Sequence, residues 1–468
     1  MSLFRLVAVC LLLTAGGAFA QVAPSAAPPA GATALDFEFF KARVEPIFTA
    51  KRPGHARCVA CHGLGTRMRL RPLPEGAETW SDADSRLNFE AVRTRVVPGN
   101  PDASRLLRHP LAQSAGGDPV HDGGKHWTSK DDKEWQTLAA WVRGATLAGS
   151  APAPLHLRII QTNNAGDDVH IIDPATNKIV GRIEGIEVSH GVAVSPDGGR
   201  IFISSEANST LNVVDARSLR VTSKISLSGR PNNIAISRDG RRIYVAINNS
   251  PGAVDVVDAS ALQRVKTIPI KGGGHNTYVT PDGRYVVAGS VTGKTLTVID
   301  QKTEEPLWVM ELPLGVRPLA FDTNRDGSTK HIFMQLTELN GFSVVDFAKH
   351  KEIKRIELPS LPPDKARVHL GGNTAHGIAV SADNSRLIVS SRPNSAVYIY
   401  ALPGLKLLGS VDVGLQPEWV TLTPDGKTAY VANAGSNDVS AVDMIGQREI
   451  ARIPAGQAPK RNIAAMLP

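Results

Sequence analysis

From Leu155 onward the chain reads as short apolar runs broken by polar turn residues at a nearly constant interval, whereas the residues before it carry apolar positions at helical spacing. In the repeating part a hydrophobic run ending in Asp recurs at Asp173, Asp215, Asp258, Asp300, Asp346 and Asp443, in steps of 42, 43, 42, 46 and 97 residues. The last step holds two units, and Val397-Tyr398-Ile399-Tyr400 fills the missing place. A turn signal of the Pro-Asp-Gly type recurs in phase at Asp197, Asp239, Asp282, Asp326, Asp383 and Asp425. Each unit therefore holds four short strands, and seven units predict a seven-bladed β-propeller over residues 155–468. Arg461 to Met466 reads as the first strand of a unit whose other strands begin near Leu157, so the ring is expected to close between the two ends of this region.

Ahead of the repeats, Phe37, Phe40, Val44, Ile47 and Phe48 predict a helix over Leu35 to Thr49, and Trp135, Leu138, Ala139 and Val142 predict a second over Asp132 to Arg143. Ser129 with Asp132 reads as a capping-box start and Gly144 as a helix stop. A small all-α domain over 35–147, a linker over 148–154 and the all-β propeller thus make a mixed, multidomain fold. Residues 1–20 have the make-up of a cleaved signal peptide, with Arg5, an apolar Leu6 to Ala15 and the small-residue site Ala18-Phe19-Ala20; 21–34 read as a flexible leader. No other segment approaches the length of a membrane span, so an exported protein of the periplasm or another extracytoplasmic space is expected.

Export sharpens the meaning of the cysteines. Of Cys10, Cys58 and Cys61, the first lies in the signal, so the mature chain keeps one pair and no disulfide framework. That pair stands in Cys58-Val59-Ala60-Cys61-His62, the spacing that covalent haem attachment uses: two thiols for two vinyl groups, and His62 for the iron. A zinc half-site or a thioredoxin-like pair needs further ligands or a βαβ context that the sequence does not offer. The formal charge of +8 is mild, and no nucleic-acid motif occurs. Locally, Lys51, Arg52, Arg57, Arg67, Arg69 and Arg71 flank the motif without an acid among them. Such a rim suits an acidic redox partner, and equally a solvated face that balances haem propionates.

The helical region resembles the class I cytochromes c, and more narrowly the planctomycete-type cytochrome c domain, through Cys58-Val59-Ala60-Cys61-His62-Gly63 and the ending Trp135-Gln136-Thr137-Leu138-Ala139-Ala140-Trp141-Val142-Arg143-Gly144. The resemblance implies one covalent haem c, with Cys58 and Cys61 as thioethers and His62 as proximal ligand. Monohaem cytochromes of this kind carry a distal Met in a Met-Pro-Pro motif; here His121-Asp122-Gly123-Gly124 stands in its place, eight residues before Ser129. His121 is therefore the expected distal ligand, with His126, His109 and Met68 as alternatives. A second imidazole lowers the potential relative to Met.

The repeats are similar to YVTN-type propeller repeats, through Tyr430-Val431-Ala432-Asn433, Tyr244-Val245-Ala246-Ile247 and the turns Ser195-Pro196-Asp197-Gly198 and Thr423-Pro424-Asp425-Gly426. The order of the two domains also resembles the cytochrome cd1 nitrite reductases, whose propeller has one blade more and whose d1-haem ligands have no residue-by-residue counterpart here.

Aligning the units on their turns puts one residue from each at the start of the innermost strand: His190, Asn232, His275, Arg317, His376, Glu418 and Lys460. All are polar, and they are expected to ring one mouth of the central channel. His190, His275, His376, Arg317 and Glu418 are the candidate catalytic groups for a small-molecule substrate, and the three histidines are candidate ligands of a second metal. The unit between Asp326 and Asp383 is the longest, at 57 residues, and its surplus in Pro359 to Thr374, with Arg367 and His369, reads as a lid or docking loop. Three functions fit: electron transfer to or from a partner or substrate at the propeller, an electron carrier on a non-catalytic scaffold, and an oxidoreductase acting at the channel mouth.

Overall fold

Why the Asp positions repeat is visible in the turns they make. The carboxylate of Asp173 accepts from the backbone N–H of Ala175, and Asp215, Asp258, Asp300, Asp346 and Asp443 accept in the same way from residues two or three further on. Each closes the hairpin between the third and fourth strands of a sheet. The second set caps the hairpin before it: Asp197 accepts from the Ser195 hydroxyl at 2.6 Å and from Gly199 N–H at 3.0 Å, and Asp239, Asp282, Asp383 and Asp425 copy the pattern.

A computed structural model describes residues 35–64, 68–146, 155–360 and 374–468. The expected signal peptide, the leader, the linker and most of the Pro359 to Thr374 loop, with Arg367 and His369, lie outside the described residues, as does Arg67. The chain forms two compact units, one of Met1–Thr79 with Ala91–Leu147 and one of Trp80–Glu90 with Ala148–Pro468. No described helix is long and apolar enough to cross a membrane.

The larger unit is a seven-bladed β-propeller: seven four-stranded antiparallel sheets, six of them built from consecutive strands. The remaining sheet joins strand Pro459–Leu467 to His156–Asn163, Asp168–Asp173 and Lys178–Glu184, so the two ends of the region share one blade. Its register runs from His156 opposite Leu467 to Asn163 opposite Pro459. Inner strands are buried on both faces, and outer strands such as Lys178–Glu184 alternate exposed and covered positions. Hydrophobic clusters bridge each neighbouring pair of blades. Ile160 and Leu467 meet Val192 and Ile203 of the next blade, while Ile159 and Ile172 meet Tyr430 and Val439 of the previous one. Charged side chains on the outer strands, mostly Lys and Arg but Glu on Glu305–Glu311, guard the open edges.

The smaller unit is helical. Asp36 caps Phe37–Phe39, and Trp141 of helix Lys133–Val142 donates its indole N–H to the Asp36 carbonyl at 2.8 Å. Phe40 lies 5.3 Å from the Trp141 ring, and both are fully buried, so the first and last helices pack against each other. Two details differ. The first helix is not continuous α-helix: Phe40–Val44 is a π turn in which Glu45 N–H reaches the Phe40 carbonyl, because Pro46 has no N–H to continue the regular ladder and its ring crowds it. The last helix is capped by Asp132, which accepts from Glu134 N–H, while the Ser129 hydroxyl turns to Asp131 instead of making a capping box. A further helix, Asp82–Arg93, most of which belongs to the larger unit, has no counterpart in the sequence analysis.

Candidate functional site

In the helical unit, Cys58–His62 forms a single helical turn, which brings Cys58, Cys61 and His62 onto one face. The two thiols are free, and burial first of all pushes the Cys58 thiol up. The Nδ1–H of His62 donates to the Met68 carbonyl at 2.9 Å, which selects the tautomer whose lone pair is on Nε2. His121 repeats this arrangement, with Nδ1–H donating to the Gly124 carbonyl at 2.5 Å. Gly124 has φ +79°, and a Cβ on Gly123 would meet the His121 ring at 3.0 Å, so the two glycines let the loop wrap the imidazole.

The His62 and His121 rings have centroids 6.4 Å apart and planes 18° from parallel. The alternatives are placed differently. His109 is held by the Asp118 carboxylate at 3.1 Å. His126 stands against His55, a neighbour absent from the sequence reading, at 4.7 Å, and burial lowers its pKa to about 4. Met68 has its backbone on the Nδ1 side of His62. Of the basic flank, Arg52 turns inward, donating to Glu134 at 2.7 Å and to the Ile47 carbonyl at 2.8 Å, so it is a structural tie and not part of an open rim.

In the propeller all seven predicted ring residues sit at the starts of innermost strands, and each falls where the strand's pairing register slips. A bulge at each inner strand re-aims one side chain toward the axis. Gly191 and Gly377 follow His190 and His376 because the next strand passes close. A Cβ on Gly191 would stand 2.7 Å from the Asn232 carbonyl, and Gly377 has φ +128°.

The ring is a charge network. Glu418, 6% exposed, takes hydrogen bonds from Arg392 and, at 2.8 Å, from Lys460. Burial alone would raise its carboxyl; the two cations outweigh that and hold it at about 2. His376 Nδ1–H donates to the Glu418 carbonyl at 2.6 Å. His190 Nδ1–H donates to Glu206, which also takes Arg230 Nε at 2.9 Å; burial pushes the His190 pKa down to about 4. His275 accepts from Asn276 at 2.8 Å and meets His376 edge to face at 5.6 Å. The three histidines do not assemble as a metal site. Among the described residues no group of three or more His, Cys, Asp or Glu is placed to hold an ion.

Sequence reasoning missed Arg461, Arg392 and Glu206. The bulge between Thr162 and Asn163 leaves Lys460 without a register partner, so both Lys460 and Arg461 reach channel groups; strand alternation had allowed only one. Arg392 and Glu206 come from the ends of second strands, one step outside the aligned ring.

Comparison with known proteins defines the class by its fold. Residues 157–278 match the family described as Cytochrome D1 heme domain, and residues 271–449 match Lactonase, 7-bladed beta-propeller. Two stretches of one ring thus match two propeller families, and neither match reaches the helical unit. A search of curated proteins finds no match. Among solved structures, hydrazine synthase of Kuenenia stuttgartiensis is 22% identical with a TM-score of 0.54, over 64% of this chain and 99% of its own. The periplasmic gluconolactonase of Pseudomonas aeruginosa is 18% identical with a TM-score of 0.54, over 67% of this chain and all of its own. At such identities the likeness is one of fold, and the protein is a seven-bladed β-propeller with a small helical unit joined to it.

Proposed function

We propose that the chain is an exported electron-transfer protein whose helical unit carries one covalent haem c, with Cys58 and Cys61 as thioethers and His62 and His121 as axial ligands. The pairing of His62 with His121 carries this reading. The two ring centroids are 6.4 Å apart, a separation at which His62 and His121 would each offer one imidazole nitrogen to a metal held between them. Both Nδ1 atoms are committed to backbone carbonyls, the outer hydrogen bond that fixes tautomer and ring orientation in metal-bound histidine. Met68, whose backbone carbonyl already takes the Nδ1–H of His62, fits the distal place less well.

When bound, the haem supplies a one-electron couple. The protein's part is to hold His62 and His121 still between oxidation states. Arg52 and Trp127 both reach Glu134 on the last helix and brace the motif against it. The partner proposed is a redox protein of the same compartment. The match of residues 157–278 to Cytochrome D1 heme domain supports a haem-linked setting, and the signal-like first twenty residues support export.

The test is maturation with and without the thiols. Protein produced with the haem-attachment machinery should keep its haem through denaturing electrophoresis, and Cys58→Ser with Cys61→Ser should lose it. Haem that is absent from the wild type, or lost from it on denaturation, would reject covalent attachment.

A further inference from the structure

Among the described residues the propeller channel holds more positive charge than its carboxylates answer. Glu418 is shared by Arg392 and Lys460, and Glu206 is taken by Arg230 and His190. Arg317 and Arg461 have no carboxylate within ion-pair distance among the described residues. Arg461 is 1% exposed; its guanidinium donates to Asn232 at 2.7 Å and lies 4.1 Å over the Trp419 ring, but its Nε and second terminal nitrogen are buried without a partner. Arg317 Nε is likewise buried and unpaired. Buried guanidinium donors that meet no acceptor are strongly disfavoured, and a planar carboxylate is the group their fork fits best.

The same channel holds unanswered acceptors. Because Nδ1–H of His190 and of His376 is used by Glu206 and by the Glu418 carbonyl, each ring presents an unprotonated Nε2, and both Nε2 atoms are buried without a partner. Such a nitrogen accepts from a hydroxyl. These groups belong to one ring of inner-strand bulges: Arg461 reaches Asn232 on one blade and lies over Trp419 on another, Arg317 holds the matching place on its own blade, and His275 touches His376 two blades on. A fully ionised inorganic oxyanion would answer the arginines and leave the imidazoles empty.

We propose that the mouth of the propeller channel binds a small hydroxycarboxylate, whose carboxylate is taken by Arg317 and Arg461 and whose hydroxyl donates to Nε2 of His376 or His190. This goes beyond the electron-transfer reading and stands on the propeller alone.

Calorimetric titration of the full haem-loaded chain with malate, with succinate, which lacks only the hydroxyl, and with sulfate tests it. Malate should bind, succinate roughly tenfold more weakly, and sulfate more weakly still. Arg317→Gln, at a half-buried position, should weaken malate and succinate alike by tenfold or more. Either His376→Leu or His190→Leu should erase the preference of malate over succinate. No binding of malate at millimolar concentration, equal binding of sulfate, or an Arg317→Gln variant that binds as the wild type does would overturn the proposal. Should a variant fail to fold, the ranking of the three probes on the wild-type chain still decides.

Discussion

Replacing Glu418 by Gln keeps its shape and removes its charge, so the variant imitates the protonated side chain. The carboxyl is buried between Arg392 and Lys460 and has its pKa held at about 2, against an ordinary 4.5. That depression makes the ionised form ~3 kcal/mol more favourable in the folded protein than in the unfolded chain. A second route gives a similar size, since removing one partner of a buried ion pair costs about 3–5 kcal/mol. Glu418→Gln is therefore expected to lower stability by ~3 kcal/mol at pH 7, or ~5 °C in the melting temperature of the propeller. The sign with pH follows from a lowered acid pKa. The stabilisation is complete above about pH 4.5 and fades as pH falls toward 2, so the gap between wild type and variant should close over that window. Urea unfolding followed by tryptophan fluorescence at pH 7 and pH 3 measures it. Equal stability at pH 7, or a gap that does not shrink on acidification, would refute the reasoning.

Leu467→Ala empties the buried end of the strand that closes the ring and should cost about 2–5 kcal/mol in urea unfolding; a loss below 1 kcal/mol would mean that the seam blade is not needed for closure. Gly377→Ala places a methyl 2.6 Å from Ser390 Oγ at φ +128° and should lower stability by at least ~2 kcal/mol, whereas Gly404→Ala, with open space around it, should change little. His190, neutral in the fold with its pKa lowered to about 4, must charge on unfolding below about pH 6.5. It should contribute ~2 kcal/mol less stability at pH 5 than at pH 7.5, and His190→Gln should flatten that part of the urea-midpoint profile.

The propeller was legible because its signals are local and repeated: the aspartates at 173, 215 and 258 cap hairpins by hydrogen bonds to residues two or three away, so the turn chemistry is written in short words. Seven copies in phase then fix the ring and its inner mouth. The channel network was only half legible. One residue per unit could be aligned, but the bulge that brings Arg461 beside Lys460 depends on how the last strand pairs with the first, across almost the whole region. Glu206 and Arg392 reach the ring from the ends of other strands, at positions that no single repeat marks. A three-histidine metal site, a candidate from residue type alone, is not assembled: among the described residues no three His, Cys, Asp or Glu side chains come together to hold an ion. In the helical unit the Cys58 to His62 motif needs no long-range information, whereas the approach of His121 to His62 depends on the Gly123-Gly124 loop, which pattern alone does not fold.

Low-temperature electron paramagnetic resonance of the oxidised, haem-loaded protein, wild type against His121→Ala, tests the haem reading most directly. The wild type should give a low-spin signal of bis-histidine type, lost in the variant in favour of high-spin iron. A low-spin signal that survives His121→Ala, or high-spin iron in the wild type, would contradict the pairing of His62 with His121.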